Sequence, residues 1–272
     1  MNFGVIYKTL RDSRWQLLCL PLLIVVFEML FFRAIGEIHD SSGGMDLVRI
    51  PFVRRFLQTL LGADLLENLT ATGVASLGFA HPIVYASTWT LLLTIGSRVI
   101  AGEIDRGTAD LQFALPVSRA ASYASHSIVM LAAVALTSVA PLIGAALAAR
   151  VFPLWEPIDL GRLSLLITNL AALNLSICGI TLLASAMSSR RGSPIAVLLA
   201  LLLGSFLLNF LAQIWQPAKD VAFLGLLSYY KPLPIISRGV WPVYEMMVLV
   251  CIGVGSWFAG LACFSRRDIP AA

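Results

Sequence analysis

The feature that most constrains this chain is a series of apolar runs, each long enough to cross a lipid bilayer. From Trp15 to Gly36 the only charged residues are Glu28 and Arg33. A helix rises about 1.5 Å per residue, so about 20 residues span the hydrocarbon. Five further runs qualify: Pro82–Ala101, Ser127–Val151, Leu163–Met187, Pro194–Trp215 and Val243–Phe264. Only 12% of residues are charged and 58% are hydrophobic, with a mean hydropathy of +0.86. A soluble chain carries about 25% charged residues. With so few, this chain cannot cover a water-facing surface. The expected fold class is all-α: a polytopic membrane protein with six transmembrane helices in one domain, 1–272.

Several functions are excluded or disfavoured. The net charge is +4, but no basic cluster with interleaved aromatics appears, so nucleic acid is not an expected partner. Cys19, Cys178, Cys251 and Cys263 lie in apolar runs with no CxxC, and His39, His81 and His126 are scattered. They read as buried hydrophobes and isolated imidazoles, so neither a disulfide nor a metal site is expected. There is no Gly-Lys pair, no HExxH and no GxSxG. The chain is expected to bind no cofactor and to catalyse no covalent chemistry itself. Lys8, Arg11 and Arg14 imitate the start of a signal peptide, but the apolar run that follows exceeds a signal core of about 7–15 residues.

Short basic groups at span ends set orientation. Ser189-Arg190-Arg191 and Ser265-Arg266-Arg267 point to the cytoplasm and place both termini there. Residues 1–14 put Phe3, Ile6, Tyr7 and Leu10 on one face, as an interfacial helix would, or act only as a basic leader that fixes topology. Phe52, Phe56, Leu57, Leu60 and Leu61 recur at helical spacing in the connection 37–80, as on a surface helix. Residues 216–242 are too apolar for a solvated loop and too rich in proline to span. Short half-buried helices at the outer leaflet fit them, with Tyr229, Tyr230 and Trp241 in the aromatic belt.

The stretch AGEIDRGTADLQFALPVSR, residues 101–119, is the most unusual connection. Glu103, Asp105 and Arg106 mark the exit from lipid. Gly107 allows a sharp turn, Thr108 is a good N-cap, and Asp110 suits the first turn of a helix. Leu111, Ala114 and Leu115 share a face over about two turns. Pro116 ends the helix and Ser118 can cap the next span. The product is a cytoplasmic knuckle over 103–117 with an apolar face and a charged rim. Glu103 and Arg106 would equally serve to cap a span, and Gly107 and Pro116 any tight turn.

The pattern E-x-x-x-G-T-x-x-L-x-x-x-L-P-V-S-R, from Glu103 to Arg119, resembles the inner-loop signature of ABC-2 type transporter permeases. Ser228-Tyr229-Tyr230-Lys231-Pro232-Leu233 resembles that family's short outer helices, and Phe264-Ser265-Arg266-Arg267-Asp268 its usual close. The resemblance implies the ABC-2 (type V exporter-like) fold and residence in a bacterial or archaeal inner membrane. It implies pairing with a second permease copy, or with a related permease, and docking of two P-loop ATPase subunits that carry ATP and Mg. It assigns Glu103, Arg106, Gly107, Thr108, Leu111, Leu115, Pro116 and Arg119 to a coupling helix, with Ser188–Ser193 as a smaller contact. The implied function is the membrane subunit of an ATP-driven exporter. The alternative is a self-contained proton-coupled secondary transporter with Glu28 as carrier.

Polar residues inside the spans complete the candidates. Asn174, Cys178, Thr181 and Ser185 form one stripe that either lines a translocation path or packs helices through shared hydrogen bonds. Gly144 and Ala148 form a small-xxx-small pair. Asn209 and Gln213 lie near the outer end of the fifth span. Glu28 is the one acid well inside a span and is a functional candidate by that fact, unless it snorkels or pairs with an arginine. Glu28, Asn174, Thr181, Ser185 and Asn209 are the candidate path residues.

Overall fold

The computed structural model describes residues 2–40, 70–99, 101–105, 118–152 and 156–267. The surface helix expected around Phe52–Leu61 and most of the expected coupling helix, 106–117, lie outside these residues. Every regular element described is helical. In order they are α1 (Phe3–Asp40), α2 (Ala71–Gly78), α3 (Pro82–Val99), α4 (Ala101–Asp105), α5 (Arg119–Val151), α6 (Leu160–Met187), α7 (Gly192–Leu211), α8 (Gln216–Asp220), α9 (Pro232–Arg238) and α10 (Val243–Arg266). Two short 3-10 turns, Ala222–Leu224 and Leu226–Tyr229, join α8 to α9.

Among the described residues, five helices are long and apolar enough to cross a membrane: α1, α5, α6, α7 and α10. Their composition and their exposed apolar residues mark a multi-pass membrane protein. Leu18, Leu22, Leu131, Leu136, Leu199, Leu203 and Phe258 all face outward. Such a belt is costly in water and neutral against lipid tails. The helix expected as the second span, α3, is not among the five. Its 18 residues include Ser87, Thr88, Thr90, Thr94, Ser97 and Arg98, which dilute its apolar character. It is nonetheless largely buried, packed against α1, α5, α6 and α7.

Local signals explain the helix ends. Ser118 caps α5, its hydroxyl accepting from Ala121 N–H at 3.1 Å, and Asp159 caps α6 through Arg162 N–H at 3.0 Å. Pro82 opens α3, where a missing N–H costs nothing. Residues 3–14 are not a separate helix. They run directly into the first apolar run, giving a single helix of 38 residues. No residue between Val5 and Leu20 breaks a helix, so the change from polar to apolar sequence leaves the backbone unaltered.

The bundle is built around α6. Of its apolar window 67% is buried, against 22% for α1, α7 and α10. Helix α10 crosses α6 with backbones nearly touching: a Cβ on Gly253 would lie 2.8 Å from Leu175 O. Helix α1 packs on α5 in the same way, where a Cβ on Gly144 would lie 2.7 Å from Val25 O. One end of the bundle, here called basal, gathers Asn2, Glu103, Ser125, Ser188 and Arg267. The opposite, cap end carries α2, α8 and α9.

Candidate functional site

At the basal end, α4 sits on a platform of polar contacts. Lys8 Nζ meets Glu103 Oε2 at 3.1 Å, with the carboxylate largely buried. Ala101 N–H donates to Ser185 Oγ at 3.2 Å, and Arg98 donates to Asp12 O at 2.8 Å. Thr9 Oγ1 lies 2.8 Å from Val5 O and shares a hydrogen bond with His126 Nδ1 at 3.0 Å. Across the same end, Arg119 donates to Arg267 O, while Arg267 donates to Ala186 O at 2.8 Å and Ser188 O at 2.9 Å. Both roots of the connection 106–117 are thus fastened, one to α1 and α6, the other to α10 and the α6–α7 turn. Of the expected coupling residues, Glu103 and Arg119 stand at these roots. Arg106, Gly107, Thr108, Leu111, Leu115 and Pro116 lie outside the described residues.

At the cap end, a vestibule of about 720 Å³ opens between α7, α8 and α9. Tyr85, Asn209, Gln213, Lys219, Tyr230 and Lys231 line it. Below it, between α3 and α7, runs a groove of about 410 Å³ lined by Trp89, Leu93, Ile195, Leu199 and Leu203. Tyr85 and Phe206 belong to both cavities. Two ammonium groups and two amides at the mouth, over an apolar trough, can hold a polar or anionic group above an apolar chain. The vestibule wall hangs from Asn169 of α6. Its Oδ1 accepts from Lys231 N–H at 3.0 Å, and its Nδ2 donates to Tyr229 O at 3.4 Å.

The α6 stripe is interior. Asn174 Nδ2 donates to Ser138 Oγ at 3.0 Å and Thr137 Oγ1 at 3.4 Å on α5. Thr181 donates to Ile177 O at 2.7 Å and its methyl packs against Gly96, while Ser185 holds α4. None of the three lines the vestibule or the groove.

Glu28 neither snorkels nor pairs. It is 0% exposed, and neither carboxyl oxygen has a hydrogen-bond partner. The group is seated against Gly78 of α2, where a Cβ would collide with it, and its own Cβ packs on Gly144 of α5. The five candidate path residues are therefore not brought to one surface: Asn209 lines the vestibule, Glu28 is enclosed near it, and the α6 residues tie helices together. Sequence reasoning did not find Asn169, Lys219 or the Lys8–Glu103 pair. An amide within an apolar run was the available signal for Asn169; the other two needed three-dimensional placement. No family model matches this chain, and no curated protein matches it.

Proposed function

We propose that this chain is the transmembrane subunit of an ATP-binding cassette exporter of the ABC-2 type. In this reading α1, α3, α5, α6, α7 and α10 cross the membrane, and the basal end faces the cytoplasm. Two permease chains enclose the path, and each engages a separate P-loop ATPase through the connection 103–119. The observation that carries the reading is the double fastening of that connection: Glu103 to Lys8, and Arg119 to Arg267. A connection fastened to three helices and a turn transmits a push to the bundle, whereas a loop held at neither root would absorb it. The signature from Glu103 to Arg119 supplies the chemistry of the docking face, with Leu111 and Leu115 apolar and a charged rim.

The test is co-purification with a P-loop ATPase and its loss in Leu111→Asp. Burial of one leucine is worth about 1.5–3 kcal/mol, and a carboxylate in an apolar groove costs more. Leu111→Asp is expected to insert normally while abolishing transport-coupled ATP hydrolysis. ATPase docking at wild-type strength in that variant overturns the proposal. Transport by the chain with no ATPase present favours the proton-coupled alternative, for which the enclosed Glu28 is the supporting observation.

A further inference from the structure

The carboxyl group of Glu28 has no hydrogen-bond donor or acceptor on it, yet it is fully enclosed in an apolar helical bundle. Among the described residues its surroundings offer no compensating charge. Helix α2 (ATGVASLG) has no ionisable side chain. On α5, Gly144 lies against Glu28, and Ala140 one turn earlier packs with Ile24. On the vestibule side stand Tyr85 of α3 and Tyr230 before α9, and burial holds the Tyr230 hydroxyl well above its ordinary range, so it stays protonated. His81 lies tilted against Phe27, ring centroids 4.5 Å apart, and burial lowers its imidazole. The next cation along α1, Arg33, is engaged with Glu37 at 3.0 Å at an exposed position.

An unpaired carboxylate is not sustained in such a place; the neutral acid is. A metal cation is no better an occupant, because it takes several oxygen ligands, whereas Gly78 crowds this carboxyl and no group of potential metal ligands occurs among the described residues. A proton needs one oxygen. The enclosure is also thin on one side. Gly78, which touches the carboxyl, precedes Phe79, whose carbonyl accepts from Tyr230 Oη at 3.4 Å. Ala80 and Tyr230 line the vestibule.

We propose that Glu28 is a proton-binding site, loaded while α2 is seated on α1, α6 and α9 and unloaded to the vestibule when α2 lifts. On unloading, the carboxyl O–H bond breaks, the proton passes to vestibule water, and the carboxylate left behind is hydrated by water entering under Gly78. Re-seating α2 requires the proton back. The proposal concerns this chain alone and stands whether or not an ATPase drives transport.

The test uses the full chain in lipid nanodiscs and two carbodiimides, which react with protonated carboxyls. The lipid-soluble dicyclohexylcarbodiimide is expected to modify Glu28, located by peptide mass spectrometry. Its rate should fall about tenfold for each pH unit above the site's midpoint, following the protonated fraction. A water-soluble carbodiimide is expected to modify it at least tenfold more slowly. Equal reaction with both reagents, or no reaction with the lipid-soluble one at any pH, overturns the proposal without recourse to a variant. Hydrogen exchange tests the tie to α2. At alkaline pH the α2 amides of the wild type should exchange at least tenfold faster than those of Glu28→Gln, and at acidic pH equally fast. Equal rates at both pH values overturn the coupling.

Discussion

Asn174 shows what one buried polar residue in this bundle does. Two roles were open from the stripe it shares with Cys178, Thr181 and Ser185. The geometry gives it two hydroxyl partners on α5, Ser138 and Thr137, and no face on either large cavity. Interhelical hydrogen bonds in membranes are worth about 0.6 kcal/mol on average and up to about 1.7 kcal/mol. Asn174→Ala combined with Ser138→Ala in a double-mutant cycle should therefore return a coupling within that range, read from denaturant unfolding in detergent. A coupling of zero would remove the bracing role. Asn169, five residues earlier on the same helix, is spent differently. It holds Tyr229 O and Lys231 N–H and so shapes the vestibule wall. Asn169→Ala leaves that part-buried backbone N–H without its partner, at a cost of about 1 kcal/mol. Faster exchange of the Lys231 amide is the expected sign.

At the scale of elements, the decisive contact is the crossing of α10 on α6. Gly253 and Gly255 look alike in the sequence, yet only Gly253 faces α6; a Cβ on Gly255 meets nothing within 4 Å. Overpacking a tight contact costs about 1–3 kcal/mol for a small addition. Gly253→Ala should destabilise the protein by that amount, while Gly255→Ala should change stability by less than about 0.5 kcal/mol. Similar unfolding midpoints for the two variants would show that the close crossing is not what holds these helices. This pair also marks how far the sequence could be read. Apolar run length located the helices well: Leu163–Met187 was expected and Leu160–Met187 is found, Val243–Phe264 was expected and Val243–Arg266 is found. Polarity misled at α1, because Asp12-Ser13-Arg14 marks the edge of an apolar run and not the end of a helix. Which glycine faces a neighbour, and that Lys8 reaches Glu103 some 95 residues away, depends on helix rotation and tertiary pairing, which no local pattern encodes. The same holds for Glu28: its rarity inside a span was visible, its enclosure by glycines from two other helices was not.

Across the whole molecule, composition and packing bear differently on the proposed six crossings. Five helices satisfy length and apolarity, and an odd number of crossings would put the two ends of the bundle's path on opposite faces. Yet Asn2 N–H donates to Ser125 Oγ at 2.8 Å, and Arg119 donates to Arg267 O, so the start of α1, the start of α5 and the end of α10 share one layer. Between α1 and α5 the chain must return from the cap end to the basal end, and α3 is the described helix that makes that return, from His81 beside Phe27 to Arg98 beside Asp12. If α3 crosses as proposed, its Ser and Thr side chains are tolerable because protein, rather than lipid, surrounds most of them. The proposed sidedness can be measured. With Cys19, Cys178, Cys251 and Cys263 replaced by alanine, single cysteines at the exposed positions Ser118, Ser189 and Ser237 are labelled by a membrane-impermeant maleimide. Ser237→Cys should react in intact cells, and Ser118→Cys and Ser189→Cys only after the membrane is opened. If Ser118 and Ser237 react from the same side, α3 does not complete the return, and the proposed placement of the connection 103–119 beside a cytoplasmic ATPase fails with it.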